Sequence, residues 1–338
     1  MIRVLIVDDS PTMRALLSAL LRDEPDIQVV DTAVDANDAR AKIRQLDPDV
    51  VTLDIEMPGM SGIDFLEKLM RLRPTPVVIV SGLTQQGAEI TARALAMGAV
   101  DCYAKPRGRP GELLSSDGGR LANSIRAAAA TRGRQIDVRP ARTAITERRG
   151  DIALIAIGSS TGGVEALHVL LGSFPADCPP TLVVQHINGH FAGAVARRLD
   201  ESCAPKVQLA ETDVKLLPGH VYLAPGNDRH LAVRAGSGLY SKLRASDPVS
   251  GHRPSVDVLF HSVAEAVGPA AVGVLLTGMG ADGAHGLLAM KRAGATTIAQ
   301  DEATSTVFGM PRAAIQLGAA GHVAGLGEIA GYALGGRG

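Results

Sequence analysis

Arg3-Val4-Leu5-Ile6-Val7-Asp8-Asp9-Ser10-Pro11 sets an unbroken aliphatic run against two acids and a helix-start signal. Apolar residues at every position, rather than every second one, mark a strand buried on both faces, as in a parallel sheet. Working outward, the same alternation recurs. A helix is predicted over Pro11 to Leu21, a strand over Val29 to Thr32, a helix over Ala36 to Gln45 and a strand over Val50 to Leu53. Next come a helix over Gly62 to Arg71, a strand over Val77 to Val80, a helix over Gln86 to Met97, a strand over Asp101 to Ala104 and a helix over Leu121 to Ala130. The expectation for residues 1–131 is a doubly wound, five-stranded parallel α/β domain.

Beyond it hydrophobic periodicity fails. Arg132, Arg134, Arg139, Arg142, Arg148 and Arg149 accumulate around Gly133 and Pro140, which predicts a solvated linker over 132–150. A second α/β domain with a mostly parallel sheet is expected over 151–338. Its strands are predicted at Ile152 to Ile157, Thr181 to Gln185, Ala271 to Leu276 and Thr296 to Ala299, with Val221-Tyr222-Leu223 inside a short polar insertion.

Bulk composition excludes several function classes. Of 338 residues, 46% are hydrophobic, enough for two ordinary cores, and the formal net charge of -1 leaves no basic field for nucleic acid. The longest apolar runs are strand-sized, well short of the roughly 20 residues that span a bilayer, so the protein is not expected to be membrane-embedded. The N-terminus shows no signal-peptide pattern, which points to the cytoplasm. Cys102, Cys178 and Cys203 form no Cys-x-x-Cys pair, so reduced structural thiols are expected.

In the first domain, Asp8-Asp9 and Asp54 end the first and third strands and converge at the carboxyl edge of the sheet, where such folds place their sites. Three carboxylates there call for a cation, and hard oxygen ligands favour Mg²⁺. Asp54 could then accept a phosphoryl group. Ser81 and Lys105-Pro106, at the next two strand ends, supply a hydroxyl and a point cation for phosphoryl oxygens. Together with Ile55-Glu56-Met57-Pro58-Gly59-Met60-Ser61-Gly62, these positions resemble the response-regulator receiver family. The resemblance implies that Asp54 is phosphorylated and that Asp9 and Asp54 ligate Mg²⁺, with Asp8 nearby and the Glu56 carbonyl completing the shell. It also implies that Ser81 and Lys105 read the phosphate. Three residues before Lys105, where the family often carries an aromatic switch residue, this chain has Cys102, with Tyr103 beside it.

In the second domain a strand runs into Gly158-Ser159-Ser160-Thr161-Gly162-Gly163, a Gly-x-Ser-x-Gly turn able to expose a serine hydroxyl. Alone it could equally be a turn or a phosphate loop. His186 follows the next strand and is the best base; Asp282, in Thr277-Gly278-Met279-Gly280-Ala281-Asp282-Gly283, follows a third and can orient it. The order Ser, His, Asp differs from the Ser, Asp, His of α/β-hydrolases. The remaining histidines are scattered, and no catalytic metal or other cofactor is expected in this domain.

These motifs, with Leu223-Ala224-Pro225-Gly226 and Arg253-Pro254-Ser255-Val256-Asp257, resemble the CheB family of chemotaxis protein-glutamate methylesterases and glutamine deamidases. The resemblance implies a Ser-His-Asp hydrolase with Ser160 as nucleophile, His186 as base then acid, Asp282 as orienter, and the Met279 N–H donating to the oxyanion with Thr161 beside the site. It further implies chemoreceptor cytoplasmic segments as substrate, a histidine kinase as phosphodonor, and release of the catalytic cleft when Asp54 is phosphorylated. A phosphorylation-switched binding protein without turnover would not need all three triad residues. A DNA-binding regulator would need a helix-turn-helix and a basic face, which the Gly-rich strand ends do not supply.

Overall fold

The computed structural model describes residues 1–57, 59–105, 117–133, 152–226 and 228–335. The linker predicted over 132–150 lies, from residue 134 on, outside them, as do Pro58 and Pro106. Contacts divide the chain into two units, Met1–Arg134 and Gln135–Gly338.

The first unit alternates β1 (Ile2–Val7), α1 (Pro11–Leu21), β2 (Ile27–Ala33), α2 (Ala36–Leu46), β3 (Val50–Asp54), α3 (Gly62–Leu72), β4 (Val77–Ser81), α4 (Gln85–Ala96), β5 (Asp101–Ala104) and α5 (Arg120–Ala129). The sheet order is β2-β1-β3-β4-β5, every pairing parallel. Strand order therefore reverses between β1 and β3, and the crevice outside that point is where the acids sit. Helix starts follow their sequence signals: Ser10, Asp35, Ser61 and Thr84 each accept first-turn N–H groups of α1 to α4. Gly62 is required where α3 begins, because a Cβ there would meet the Asp54 carbonyl oxygen at 2.1 Å. Arg132, read from sequence as the start of the linker, is instead ion-paired with Asp47 and Asp49 of this unit.

The second unit holds β6 (Leu154–Ser159), α6 (Gly163–Gly172), β7 (Thr181–Gln185), α7 (Gly189–Ser202), β8 (Lys206–Leu209), β9 (His220–Leu223), β10 (His230–Ala235) and β11 (Leu239–Arg244). It continues with α8 (Val256–Ala266), β12 (Ala271–Leu275), α9 (Ala284–Arg292), β13 (Thr296–Gln300), α10 (Met310–Gln316), β14 (His322–Ala324) and α11 (Leu326–Ala333). The seven-stranded sheet, in order β14-β13-β12-β6-β7-β9-β8, is parallel throughout; β10 and β11 form a separate antiparallel hairpin. From β6 the chain builds outward through β7 to one side and later through β12 to the other. The reversal between β6 and β12 opens the second crevice.

The structure resolves the predicted polar insertion into β8 to β11, and places β6 two residues later than the aliphatic run suggested, so that Ser159 closes the strand. Among the described residues no helix is long and apolar enough to cross a membrane, and no disulfide joins Cys102, Cys178 and Cys203.

Candidate functional site

At the β1/β3 crevice the structure brings together the predicted acids. Carboxylate oxygens of Asp8, Asp9 and Asp54 all lie within 4.8 Å of one another; Asp8 and Asp54 are buried and Asp9 is exposed. A small, hard, oxygen-seeking cation fits this donor set, with Asp9 facing solvent water. Lys105 Nζ stands 2.7 Å from Asp54 and 3.0 Å from Asp8. Burial pushes the Asp54 carboxyl up, the Lys105 ammonium pulls it down and Asp8 pushes it up again, leaving a net rise. For Lys105, burial works against the charged form, but the two carboxylates outweigh it and the ammonium is held above its ordinary range.

The other predicted receiver residues are placed less uniformly. The exposed Glu56 donates its N–H to Asp54 Oδ1 at 3.1 Å. The buried Ser81 hydroxyl is engaged, at 3.4 Å each, with the carbonyls of Gly82 and Gly87. Tyr103, next to Cys102, is buried and donates its hydroxyl to Asp117 at 2.7 Å, and burial together with that carboxylate raises its pKa.

Because Lys105 supplies the counter-charge, Lys105→Met is expected to cost about 2 to 3 kcal/mol near neutral pH, below the fully buried range because Lys105 remains 19% exposed. The sign with pH follows from Asp54. Its folded pKa, already raised, rises further in the variant, so the deficit is complete above that value and shrinks as pH falls through it. Denaturant unfolding of both proteins between pH 7 and pH 4.5 checks this.

At the β6/β12 crevice the geometry starts from register. Ser159 pairs with Gln185 across β6 and β7, and the His186 N–H donates to the Ser159 carbonyl at 3.0 Å, so Ser160 and His186 are the next residues out on neighbouring strands. Ser160 is held from the other side by its N–H, which donates to the Thr277 carbonyl beyond β12 at 3.0 Å. Glycine is required at 278, where a Cβ would meet Ser160 Cβ at 2.7 Å and Met310 Sδ at 2.3 Å.

His186 Nε2 lies 2.8 Å from Asp282 Oδ2, and the other ring nitrogen, Nδ1, is buried without a hydrogen-bond partner among the described residues. Asp282, 2% exposed, sits at the N-terminus of α8: Oδ1 accepts from Ser255 Oγ at 2.7 Å and from the Asp257 N–H at 3.1 Å, and Oδ2 accepts from the Val256 N–H at 2.7 Å. Burial alone would raise its pKa. The His186, Ser255 and Val256 hydrogen bonds overcome burial and bring it down to about 2, so the carboxylate stays charged beside the imidazole. Neighbouring Asp257 is shifted the other way, raised chiefly by burial and further by Asp282.

Thr161 is buried and its carbonyl accepts from Thr277 Oγ1 at 3.0 Å, while Met279 is 37% exposed at the crevice rim. Their N–H groups donate to no backbone or side-chain acceptor among the described residues. Sequence reasoning gave no role to Gln185, which accepts from Ser159 Oγ at 2.7 Å and donates from Nε2 to the carbonyls of Ser160 and His186 at 2.8 and 3.1 Å. It thereby clamps the two strand ends. Ser255 and His252 were missed as well; the last stacks on His186 with ring centroids 3.8 Å apart and planes 6° from parallel.

The family model for CheB methylesterase matches residues 155–333, and that for the response regulator receiver domain matches residues 4–116. A protein-glutamate methylesterase/protein-glutamine glutaminase 1 of Caulobacter vibrioides is 56% identical over 324 residues, covering 94% of this chain and 93% of the relative. The protein-glutamate methylesterase/protein-glutamine glutaminase of Agrobacterium fabrum is 53% identical over 325 residues, 94% of this chain and 91% of its own. Among solved structures, the CheB methylesterase catalytic domain of Thermotoga maritima is 37% identical, with a TM-score of 0.52 over 54% of this chain and 96% of that one.

Proposed function

This chain belongs to the CheB methylesterase family, and from that premise we propose which of its residues carry the activity and its control. The protein is a protein-glutamate methylesterase and protein-glutamine glutaminase of chemotaxis, a hydrolase whose receiver domain places it under phosphorylation control.

In our reading Ser160 is the nucleophile, His186 the base and Asp282 the orienter. The observation that carries it is the 2.8 Å contact between His186 Nε2 and the charged Asp282, one strand from Ser160, which leaves Nδ1 as the nitrogen able to take a proton. Ser160 Oγ attacks the side-chain carbonyl of a methylated glutamate as its proton passes to His186. The C–O bond to the methoxy group then breaks, His186 returns the proton, and methanol leaves an acyl-Ser160 ester. Water attacks that ester, losing a proton to His186, and glutamate and free Ser160 result. A glutamine side chain follows the same course with ammonia as leaving group. The N–H groups of Met279 and Thr161 would donate to the oxyanion.

The substrates are the cytoplasmic segments of methyl-accepting chemoreceptors, and a histidine kinase is the phosphodonor. In the receiver, Asp8, Asp9 and Asp54, with the Glu56 carbonyl, would hold Mg²⁺, which when bound offsets the charge on the phosphoryl group and the acids. Asp54 accepts the phosphoryl group, adding a charge of about -1.5 to -2, and Lys105 and Ser81 would turn toward it. Lys105 would exchange a carboxylate partner for a phosphoryl oxygen, and the Ser81 hydroxyl would leave the carbonyls of Gly82 and Gly87. That exchange biases a surface between two states and releases the catalytic cleft.

The test is methanol release from methylated receptor membranes, with and without a small-molecule phosphodonor and Mg²⁺. Wild type should be stimulated, Asp54→Ala should keep only the unstimulated rate, and release by Ser160→Ala should fall by at least about a thousandfold. Equal rates for wild type and Asp54→Ala under phosphodonor would remove the switch; release by Ser160→Ala near the wild-type rate would remove the nucleophile.

A further inference from the structure

His252 lies in the chain between β11 and α8, far in sequence from the three residues assigned to catalysis, yet its ring is parallel to that of His186 to within 6° at a centroid separation of 3.8 Å. Two stacked imidazoles at that distance exclude water from the face they share. The placement is built in. His252 N–H donates to the Val249 carbonyl at 2.9 Å and the Val249 N–H to the His252 carbonyl at 3.0 Å, closing a tight turn through Ser250 and Gly251 at φ of 53° and 77°. Three residues on, Ser255, Val256 and Asp257 donate to Asp282. One short segment therefore holds both the free face of the base and the carboxylate behind it.

We propose that His252 is the positioning residue of the general base: its ring fixes the plane of the His186 imidazole and closes one face of it to water. The inference rests on His186 acting as base for Ser160. Without the stack, the imidazole could turn about its Cβ–Cγ bond and misdirect Nδ1, and one face of the ring would open to water. His252 is not itself a proton donor at neutral pH. Burial, then repulsion from His186, lower its pKa to about 4 against the pull of Asp282, and those are the titratable groups that face it.

The experiment uses the full-length protein with phosphodonor and methylated receptor membranes, measuring kcat and KM for methanol release from pH 5 to 9. Wild type, His252→Ala, His252→Phe and Ser160→Ala are compared, with thermal melts of each. His252→Ala should lose about tenfold to a hundredfold in kcat with KM within about twofold, the order expected for misplacing a reacting group. His252→Phe, a flat ring without a titratable proton, should recover most of the rate.

A His252→Ala protein with wild-type rate would overturn the inference. So would a folded His252→Phe protein as slow as His252→Ala, since the ring nitrogens rather than the stack would then matter. Should His252→Ala fail to fold, the phenylalanine variant decides alone. Activity surviving in Ser160→Ala would sink the serine reading beneath it, whatever the His252 variants do. An inactive Ser160→Ala beside an unaffected His252→Ala would sink only the role of His252.

Discussion

Asp282→Asn is expected to lower kcat by about four orders of magnitude and to destabilise the fold as well, because the carboxylate has two jobs. Toward His186 it fixes the tautomer: with Nε2–H donated to Oδ2, Nδ1 is the unprotonated nitrogen. An amide in its place can present an NH₂ to Nε2, which then becomes the acceptor and leaves the proton on Nδ1, so that the base has no lone pair for Ser160. Toward α8 the carboxylate accepts from three donors, Ser255 Oγ and the N–H groups of Val256 and Asp257, spread over both oxygens. Whichever way the amide is turned, its NH₂ faces a donor, and a buried unsatisfied donor costs about 1 to 3 kcal/mol.

A pH signature accompanies the loss of stability. The folded-state pKa of Asp282, near 2, lies below its unfolded value, so its contribution is complete above the unfolded value and disappears as pH falls through the folded one. The difference in unfolding free energy between wild type and Asp282→Asn should therefore narrow between about pH 4 and pH 2. Denaturant titrations across that window, beside single-turnover rates at pH 7.5, check both halves.

What the sequence made legible is what parallel α/β architecture forces into one dimension. Val4 to Val7, Val50 to Leu53, Thr181 to Gln185 and Ala271 to Leu275 are buried on both faces, so they appear as near-continuous apolar runs, interrupted only by Thr52, Gly273 and the polar ends Thr181 and Gln185. Whatever follows each run must emerge at the same edge of its sheet. That rule alone puts Asp8, Asp54, Ser160, His186 and Asp282 at or just beyond the carboxyl edges of the two sheets, where the structure has them.

The residues that escaped notice lie off that edge or act through tertiary contacts. His252 reaches His186 across 66 positions of chain, and Ser255 reaches Asp282 across 27. Gln185 ends a strand and reads as ordinary polar termination until its amide is seen bridging the Ser160 and His186 carbonyls. Strand β8 and the β10–β11 hairpin were hidden for a different reason: their exposed residues, among them Lys206, Arg234 and Arg244, interrupt the apolar pattern. Strand β14, at three residues, is too short to carry a period.

Ser160→Ala separates catalysis from folding more sharply than any change at Asp282. The backbone of Ser160 is tied down: its N–H donates to Thr277, and its carbonyl accepts from Gly163 at 2.8 Å and from Gln185. Its hydroxyl takes no part in those bonds, and an alanine Cβ fits where the serine Cβ already lies. Thermal stability should therefore stay within about a degree of wild type, as for a substitution that creates neither a cavity nor an unpaired buried group. Turnover should fall by at least about a thousandfold, since neither His186 nor the oxyanion donors can form the acyl intermediate without a nucleophile, and what remains is direct attack by water. Methanol release and ammonia release should fall together, because ester and amide converge on the same acyl-Ser160. If deamidation of receptor glutamines survived in Ser160→Ala while ester hydrolysis vanished, the two activities would not share a nucleophile, and the glutaminase chemistry would have to be sought elsewhere in the molecule.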